Sequence, residues 1–344
     1  MKTLRIGTRA SALARWQAES VRAALAAANI ESELVLVRTA GDKDRTTALR
    51  DLGRKGIFIK ELEECLLDDS VDIAVHSMKD VPTELPKGLA ISAMLKRHDV
   101  RDALISWAEL PFSKLPVGAR VGTSSLRRQA QLRHHRKDLE MADIRGNVDT
   151  RLGKLERGDY DAIVLAKAGL DRLGFEQRIS EVLSTEICLP AAGQGAIGIE
   201  ARIDDTEVLR AIAMLDDGET HVAVDAERVV LAGLEGGCQV PMGVWARIEG
   251  RDLVIEACVL SGDGVEAVRV RREGTPKDAA RLADEVTKAL LDGGAARLLK
   301  LAEATEIDES VEPVVPAVPS VAAAPTVPAG RKTAGKAQKA QSGE

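Results

Sequence analysis

Through most of the chain, short apolar runs alternate with stretches in which apolar residues recur every three or four positions. The runs predict strands and the stretches predict amphipathic helices. Leu4 to Gly7 reads as a strand, and Leu13, Trp16, Val21, Ala24 and Leu25 mark a helix to about Ala28, with Ser11 as its N-cap. A strand from Glu33 to Val37, a helix from Ile57 to Leu67 and a strand from Val71 to Val75 follow. Before the helix lies TAGDKDRTTALRDLGRKG, a long, charged, glycine-bearing loop of the kind that more often serves function than mere connection. Strand, helix, strand in this order is the pattern of a parallel α/β sheet, in which ligands gather at the carboxyl ends of strands. The stretch HSMKDVP, from His76 to Pro82, stands at such an end.

After apolar runs at Leu89–Leu95 and Asp102–Ser106, the pattern restarts. Strands are expected at Ala119–Gly122, Leu139–Ile144 and Tyr160–Leu165. Each leads into a helix through a turn, Thr123-Ser124-Ser125, Arg145-Gly146-Asn147 and the residues before Ala168. LPAAGQGAIGIEAR returns the chain as a further strand, with helices at Asp204–Leu215 and Glu219–Leu234. Strands at Gly243–Glu249, Leu253–Leu260 and Val265–Arg272 alternate about the turns EGRD and SGDG, predicting an antiparallel sheet. One last helix is expected from Pro276 to Ala302. Two α/β domains are thus expected, 1–96 with 196–216 and 100–190, followed by a small α+β domain at 218–304 with three antiparallel strands. Residues 309–344 hold five of the chain's twelve prolines and no element pattern, and read as a disordered Pro/Ala-rich tail.

Composition narrows the functions. Of 344 residues, 45% are hydrophobic and 30% charged, which describes a globular protein with ample core. The N-terminal MKTLRIGTRASALARW has no apolar signal region and no run long enough to span a bilayer, so a cytoplasmic location without a membrane partner is expected. Cys65, Cys188, Cys238 and Cys258 form no CxxC pair and no cysteine–histidine spacing suited to a metal, so neither zinc nor a disulfide framework is expected. Net charge is −6, which gives no reason to expect nucleic acid. Between Arg120 and Arg157, however, ten Lys/Arg stand against five Asp/Glu. That excess falls on the strand-to-helix turns, where helix N-termini already favour anions. Adjacent Arg127 and Arg128 repel each other on a first helical turn and are better explained by an anionic partner, for which the guanidinium fork is suited. This basic region offers no aromatic platform for stacking bases before Tyr160, so a small multiply carboxylated molecule in a cleft fits better than a nucleic acid.

Two other features bear on function. Gly193 to Gly198, GQGAIG, matches the dinucleotide fingerprint in letters, but a strand-like Ile197-Gly198-Ile199 follows where the fingerprint needs a helix. GLEGGCQVPMG, from Gly233 to Gly243, is a shaped turn around Cys238, since glycine permits close approach and proline removes a donor. A lone cysteine is more often a small buried hydrophobe than a reactive group. A carboxylate in a cleft, as at Asp80, suits proton transfer or stabilisation of developing positive charge.

Taken together, TRASALARW, GIFIKELE, DIAVHSMKDVP, VGTSSLRRQAQL, IRGNVDTRL, DAIVLAKAGLDRLG, LPAAGQGAIGIE and EGGCQVP resemble the porphobilinogen deaminase (hydroxymethylbilane synthase) family from about Leu4 to Ala304. The resemblance implies two domains like type II periplasmic binding proteins and a third carrying a cysteine. It implies a monomeric transferase of tetrapyrrole (heme) biosynthesis that joins four porphobilinogen molecules with loss of ammonia and releases hydroxymethylbilane by hydrolysis. The chain would grow on a dipyrromethane cofactor held by a thioether, here to Cys238. The family's catalytic aspartate falls on Asp80. Its cofactor-binding residues carry over as Lys79, Ser125, Arg127, Arg128 and Arg151, and its substrate-binding residues as Arg9, Ser11, Arg145 and Arg172. The sequence departs from the family at Asp51 and at Gly53-Arg54-Lys55-Gly56, where the family often has GGKG, and in the added tail. Two other classes stay open on the residues alone: a non-catalytic dicarboxylate-binding protein and a nucleic-acid binder through Arg120–Arg157.

Overall fold

A computed structural model describes residues 2–37, 59–234 and 240–308, with side chains through 301. The expected loop at 41–56, the start of the helix at Ile57, the Cys238 turn and the tail lie outside the described residues.

The first sheet has the order β2-β1-β3-β10-β4, from β1 (Leu4–Arg9), β2 (Ser32–Val37), β3 (Ile73–Ser77), β4 (Leu89–Met94) and β10 (Ile197–Arg202). Helix α1 (Ala12–Ala27) packs Ala18, Val21 and Leu25 onto Ile6, Ile73, Val75 and Ile199. Its N-cap is Ser11, whose Oγ accepts from the Ala14 amide at 3.3 Å. Helix α2 (Lys60–Leu67) covers the other face through Leu62 and Leu66. The second sheet has the order β7-β6-β8-β5-β9, built from β5 (Asp102–Ser106), β6 (Arg120–Gly122), β7 (Glu140–Ala142), β8 (Ala162–Ala166) and β9 (Glu181–Val182). Helices α3 (Leu126–His135), α4 (Val148–Glu156) and α5 (Lys167–Arg172) follow three of its strands.

Neither sheet is purely parallel, as the strand–helix alternation suggested. β1 is parallel to β2 and β3, but β10 runs antiparallel to both β3 and β4. Likewise β6 is parallel to β7 and β8, whereas β5 is antiparallel to β8 and β9. The reversed strand in each sheet is the one entered directly from the other sheet. Strands buried on both faces read as apolar runs whichever way they point, so the pattern carries no direction.

The third sheet, β11 (Met242–Glu249), β12 (Asp252–Leu260) and β13 (Ala267–Gly274), is antiparallel throughout. Helices α6 (Thr206–Ile212) and α7 (Gly218–Gly233) lead to it, and α7 packs Ala226 and Val230 into its core. The single helix expected at Pro276–Ala302 is two, α8 (Ala279–Asp292) and α9 (Ala295–Asp308). Gly294 between them has φ +98°, a conformation that ends a right-handed helix and that glycine adopts without strain. No helix among the described residues is long and apolar enough to cross a membrane.

Two buried carboxylates tie these sheets together where the chain crosses. Asp102, fully buried at the start of β5, accepts from Arg127 Nη1 at 2.7 Å and from Arg128 Nη2 and Nε at 2.7 and 3.1 Å. It also accepts from Gln194 Nε2 at 2.9 Å, on the returning segment. Glu227 of α7, fully buried as well, accepts from Arg97 at 2.6 and 2.9 Å, from the Gly193 amide at 2.6 Å and from the Ala246 amide at 2.8 Å. It therefore joins both crossing segments to the third sheet. Burial alone would raise the Asp102 pKa, but Arg127 and Arg128 hold it well below the usual carboxylate range. Replacing Asp102 by Ala leaves two guanidiniums without their carboxylate. A loss of about 3–5 kcal/mol of unfolding free energy is expected, read from urea denaturation, and an unchanged midpoint with an unchanged slope would contradict it.

Candidate active site

The site begins where β3 ends. His76 and Ser77 close the strand and Met78–Asp80 form a single 3-10 turn, in which the Met78 amide donates to the Ala196 carbonyl at 3.1 Å. The glycines of GQGAIG explain this tight meeting. A Cβ at Gly193 would sit 2.7 Å from Met78 Cβ and 3.1 Å from the Lys79 amide nitrogen, and one at Gly198 would overlap Met78 Sδ. The motif is a crossing segment running into β10, with no helix to receive a pyrophosphate.

Asp80 is exposed on this turn. It lines a cavity of about 60 Å3 with Arg9, Ser11, Gln17, His76 and Ser77. Gln17 Nε2 donates to Ser77 Oγ at 2.7 Å, fixing the end of β3 against α1. Two of the expected substrate-binding residues, Arg9 and Ser11, thus share a wall with the expected catalytic carboxylate.

Lys79 lies within the electrostatic reach of charges on the second sheet. Burial pushes its ammonium down to about 8, opposed by Asp80 and Asp102 and reinforced by Arg128 and Arg127. Arg151, half-buried on α4, donates from Nε to the Gly146 carbonyl at 2.8 Å. Its pKa is pushed down to about 10 by burial and by the charges of Arg128 and Arg145, with Asp80 acting in the opposite sense. These shared fields bring Lys79, Asp80, Arg128, Arg145 and Arg151 into one electrostatic neighbourhood spanning both α/β sheets. Ser125 occupies the N-cap position of α3 but makes no side-chain cap bond. Its hydroxyl is not spent on its own helix.

Arg127 and Arg172 are placed differently. Arg127 is buried and also donates to the Leu189 carbonyl at 2.7 Å and toward Cys188 Sγ at 3.3 Å. The partner that lets two arginines share one helical turn is therefore Asp102, inside the chain. Arg172 is buried beside the returning segment, donating to the Gly195 carbonyl at 2.7 Å with its guanidinium 5.7 Å from the Trp16 ring centroid. Burial, partly offset by Asp171, lowers its pKa to about 10, and its Nε has no hydrogen-bond partner among the described residues. Cys238 lies outside the described residues. Sequence reasoning missed Asp102 and Glu227. Each is an acidic residue inside an otherwise apolar run or helix face, a signal that existed but named no partner.

The arrangement can bind a ligand carrying several carboxylates and offers one exposed carboxylate beside them. A dipyrromethane with acetate and propionate arms fits this donor set. Lys79, Arg151 and Arg172 are all depressed by burial, as cations are when too little negative charge accompanies them.

Comparison with known proteins agrees. Residues 4–210 match the family model for the porphobilinogen deaminase dipyromethane cofactor binding domain, and residues 221–292 match that for the porphobilinogen deaminase C-terminal domain. The chain is 50% identical over 301 residues to the porphobilinogen deaminase of Syntrophobacter fumaroxidans, covering 87% of this chain and 97% of the relative. It is 48% identical over 308 residues to that of Trichlorobacter lovleyi, covering 89% and 98%. Among solved structures, the methionine-binding protein MetQ aligns with 64% of this chain and 92% of its own, at 13% identity and a TM-score of 0.40. The chain belongs to the porphobilinogen deaminase family, transferases that use a dipyrromethane cofactor.

Proposed function

We propose that this chain performs its family's reaction with Asp80 as the catalytic carboxylate and Cys238 as the covalent anchor. The reaction joins four porphobilinogen molecules head to tail, loses ammonia at each condensation and ends with hydrolytic release of hydroxymethylbilane. When bound, the dipyrromethane supplies the pyrrole on which the product is built. Lys79, Ser125, Arg127, Arg128 and Arg151 would hold its carboxylates, while Arg9, Ser11, Arg145 and Arg172 would meet those of incoming substrate. Asp80 would stabilise the positive charge that develops as the carbon–nitrogen bond breaks, since a fixed carboxylate does this without reorganising solvent.

The observation that carries the reading is that Lys79 from the first sheet and Arg151 from the second both stand in the field of Asp80, with Arg128 next to both and Arg145 next to Arg151. A cluster of half-buried cations is costly unless an anion joins it. Three sheets support a division into three domains at 1–96 with 196–216, 100–190 and 218–304. A cytoplasmic monomer is the assembly proposed, supported by three free thiols at Cys65, Cys188 and Cys258 and by a cleft built within one chain.

Intact mass of the purified protein is expected to exceed the sequence mass by two pyrrole units, and Cys238→Ser is expected to lose that increment. A wild-type mass equal to the bare chain rejects the anchor. Asp80→Ala should lower kcat by about 10²–10³-fold with the unfolding midpoint preserved; ammonia release at the wild-type rate rejects the role given to Asp80. Lys79 offers a third test through NMR of 13C-dimethylated lysines. In Cys238→Ser it should titrate near 8, and in the holoprotein higher, because carboxylates stabilise the ammonium. A value that stays put or falls on cofactor loading contradicts the assignment.

A further inference from the structure

Gln17 of α1 is a buried amide that the roles above do not use. Only 2% of its surface is exposed, and its Nε2 donates to Ser77 Oγ at 2.7 Å. The side chain makes no other hydrogen bond among the described residues, which leaves Oε1 unpartnered. Helical side chains lean toward the N-terminus of their helix. Gln17 therefore leans back over Leu13 and Ala14, which line the Asp80 cavity together with Gln17 and Ser77. Oε1 is not among the unpartnered atoms sealed inside the protein, and the opening its residue lines is this cavity. Ser77 is placed from the other side. Val75, two residues earlier on β3, packs with Ala18 and Val21 of α1, so Ser77 presents its side chain to the same face. Its hydroxyl accepts from Gln17 and caps nothing on the turn that follows, so its own hydrogen remains available to donate.

As a packing device this amide is poor. A buried side chain with an unpaired acceptor costs more than an apolar one of the same length. As a receptor it suits one kind of group. The cavity, about 60 Å3, admits a group the size of a water, about 30 Å3, but not a pyrrole ring with two acid arms. Its polar wall has two halves. On one, Arg9 ends β1 and Ser11 caps α1, where a guanidinium and a helix N-terminus favour a carboxylate. On the other, Gln17 Oε1 and the Asp80 carboxylate can only accept. A small, positively charged group made of donors satisfies that half.

We propose that Gln17 Oε1 and the Asp80 carboxylate receive the aminomethyl ammonium of porphobilinogen, and that this cavity holds the nitrogen as it leaves. The inference rests on the function proposed above. Porphobilinogen carries an acetate, a propionate and a primary ammonium, and the two halves of the wall sort them. The ring and its acid arms stay among the arginines, and only the aminomethyl arm is small enough to enter. Its ammonium donates to Oε1 and to Asp80. When the carbon–nitrogen bond breaks, its electron pair leaves with nitrogen, which becomes neutral ammonia. The positive charge passes to the methylene and the pyrrole ring, beside Asp80, and no proton moves in that step. Ammonia has a lone pair that the ammonium lacked, and the Ser77 hydroxyl can donate to it. Gln17 thus determines specificity for the amine and gives the leaving group a place.

The test uses the full-length holoprotein, porphobilinogen, and an analogue with methyl in place of aminomethyl, measured as a competitive inhibitor. Gln17→Met keeps the length of the side chain and removes the acceptor. It should lower kcat/KM for porphobilinogen by about 10- to 100-fold, the range of one hydrogen bond to a charged group, while the Ki of the analogue stays at its wild-type value. Gln17→Glu restores an acceptor, can take a hydrogen bond from Ser77 and adds negative charge. Its kcat/KM should fall less than that of Gln17→Met, again with the analogue unaffected, and this variant decides the matter if Gln17→Met does not fold. A Gln17→Met enzyme with wild-type kcat/KM overturns the inference. So does an analogue Ki that rises in step with the loss, which marks an amide that only steadies the fold. A Gln17→Glu enzyme worse than Gln17→Met overturns it too, because the amide then donates to a carboxylate. If wild type carries the pyrrole adduct and releases ammonia, those results reject the role of Gln17 alone. If wild type does neither, the underlying reading fails and the inference with it.

Discussion

One buried carboxylate, Asp102, answers two adjacent guanidiniums, and the geometry of the cleft follows from that constraint. Arg127 and Arg128 cannot both occupy the first turn of a buried helix unless a counter-charge lies within hydrogen-bond reach of each, and Asp102 gives one oxygen to each side chain. Meeting that demand fixes α3 against β5 and against Gln194 on the returning segment. Glu227 does comparable work with Arg97, the Gly193 amide and the Ala246 amide, so the third sheet holds the two crossings together. Such pairs are weak sources of net stability but costly to break. They specify where helices sit more than how firmly the chain folds.

Once α3 is fixed, the field around the β3 turn is largely determined. One carboxylate does not neutralise Arg127 and Arg128 together, and Lys79, Arg145 and Arg151 are added from neighbouring turns. Burial lowers both Lys79 and Arg151, and the charge of Arg128 adds to the lowering of each. The polycarboxylated ligand proposed above would complete the charge balance. Every pyrrole unit brings an acetate and a propionate, so a lengthening product needs a surface whose cations exceed its internal anions. Asp80 then stands as an exposed carboxylate inside a cationic surround, suited to charge that appears only as bonds change.

How much of this was legible in the sequence depended on range. Ser11 as an N-cap and the β3 end at HSMKDVP were readable because their signals are local. The glycines of GQGAIG could be separated from a dinucleotide loop for the same reason, although the role of Gly193 and Gly198 in admitting the Met78 turn needed the fold. The break at Gly293-Gly294 was visible as a glycine pair, but helical periodicity continues across it and hid the stop. Strand direction was not legible, since β5 and β10 look like any doubly buried strand. Least readable were charges joined over long separations. Arg127 and Arg128 pointed to an anionic ligand, whereas the anion they meet is Asp102, 25 residues before Arg127, and the Glu200 carboxylate that meets His76 lies 124 residues after it. The Cys238 turn and the 41–56 loop fall outside the described residues, and the motif resemblance alone assigns that cysteine its part.

The account stands on a cation-lined cleft that holds a cysteine-anchored polycarboxylate over Asp80. A high-resolution crystal structure of the purified holoprotein tests this most directly. The account predicts continuous density from Cys238 Sγ to a dipyrrole whose carboxylates contact Lys79 and the arginines of the second sheet, with the Asp80 carboxylate beside it. A bare Cys238 thiol, or a dipyrrole lying away from Asp80 with its carboxylates in solvent, would contradict it.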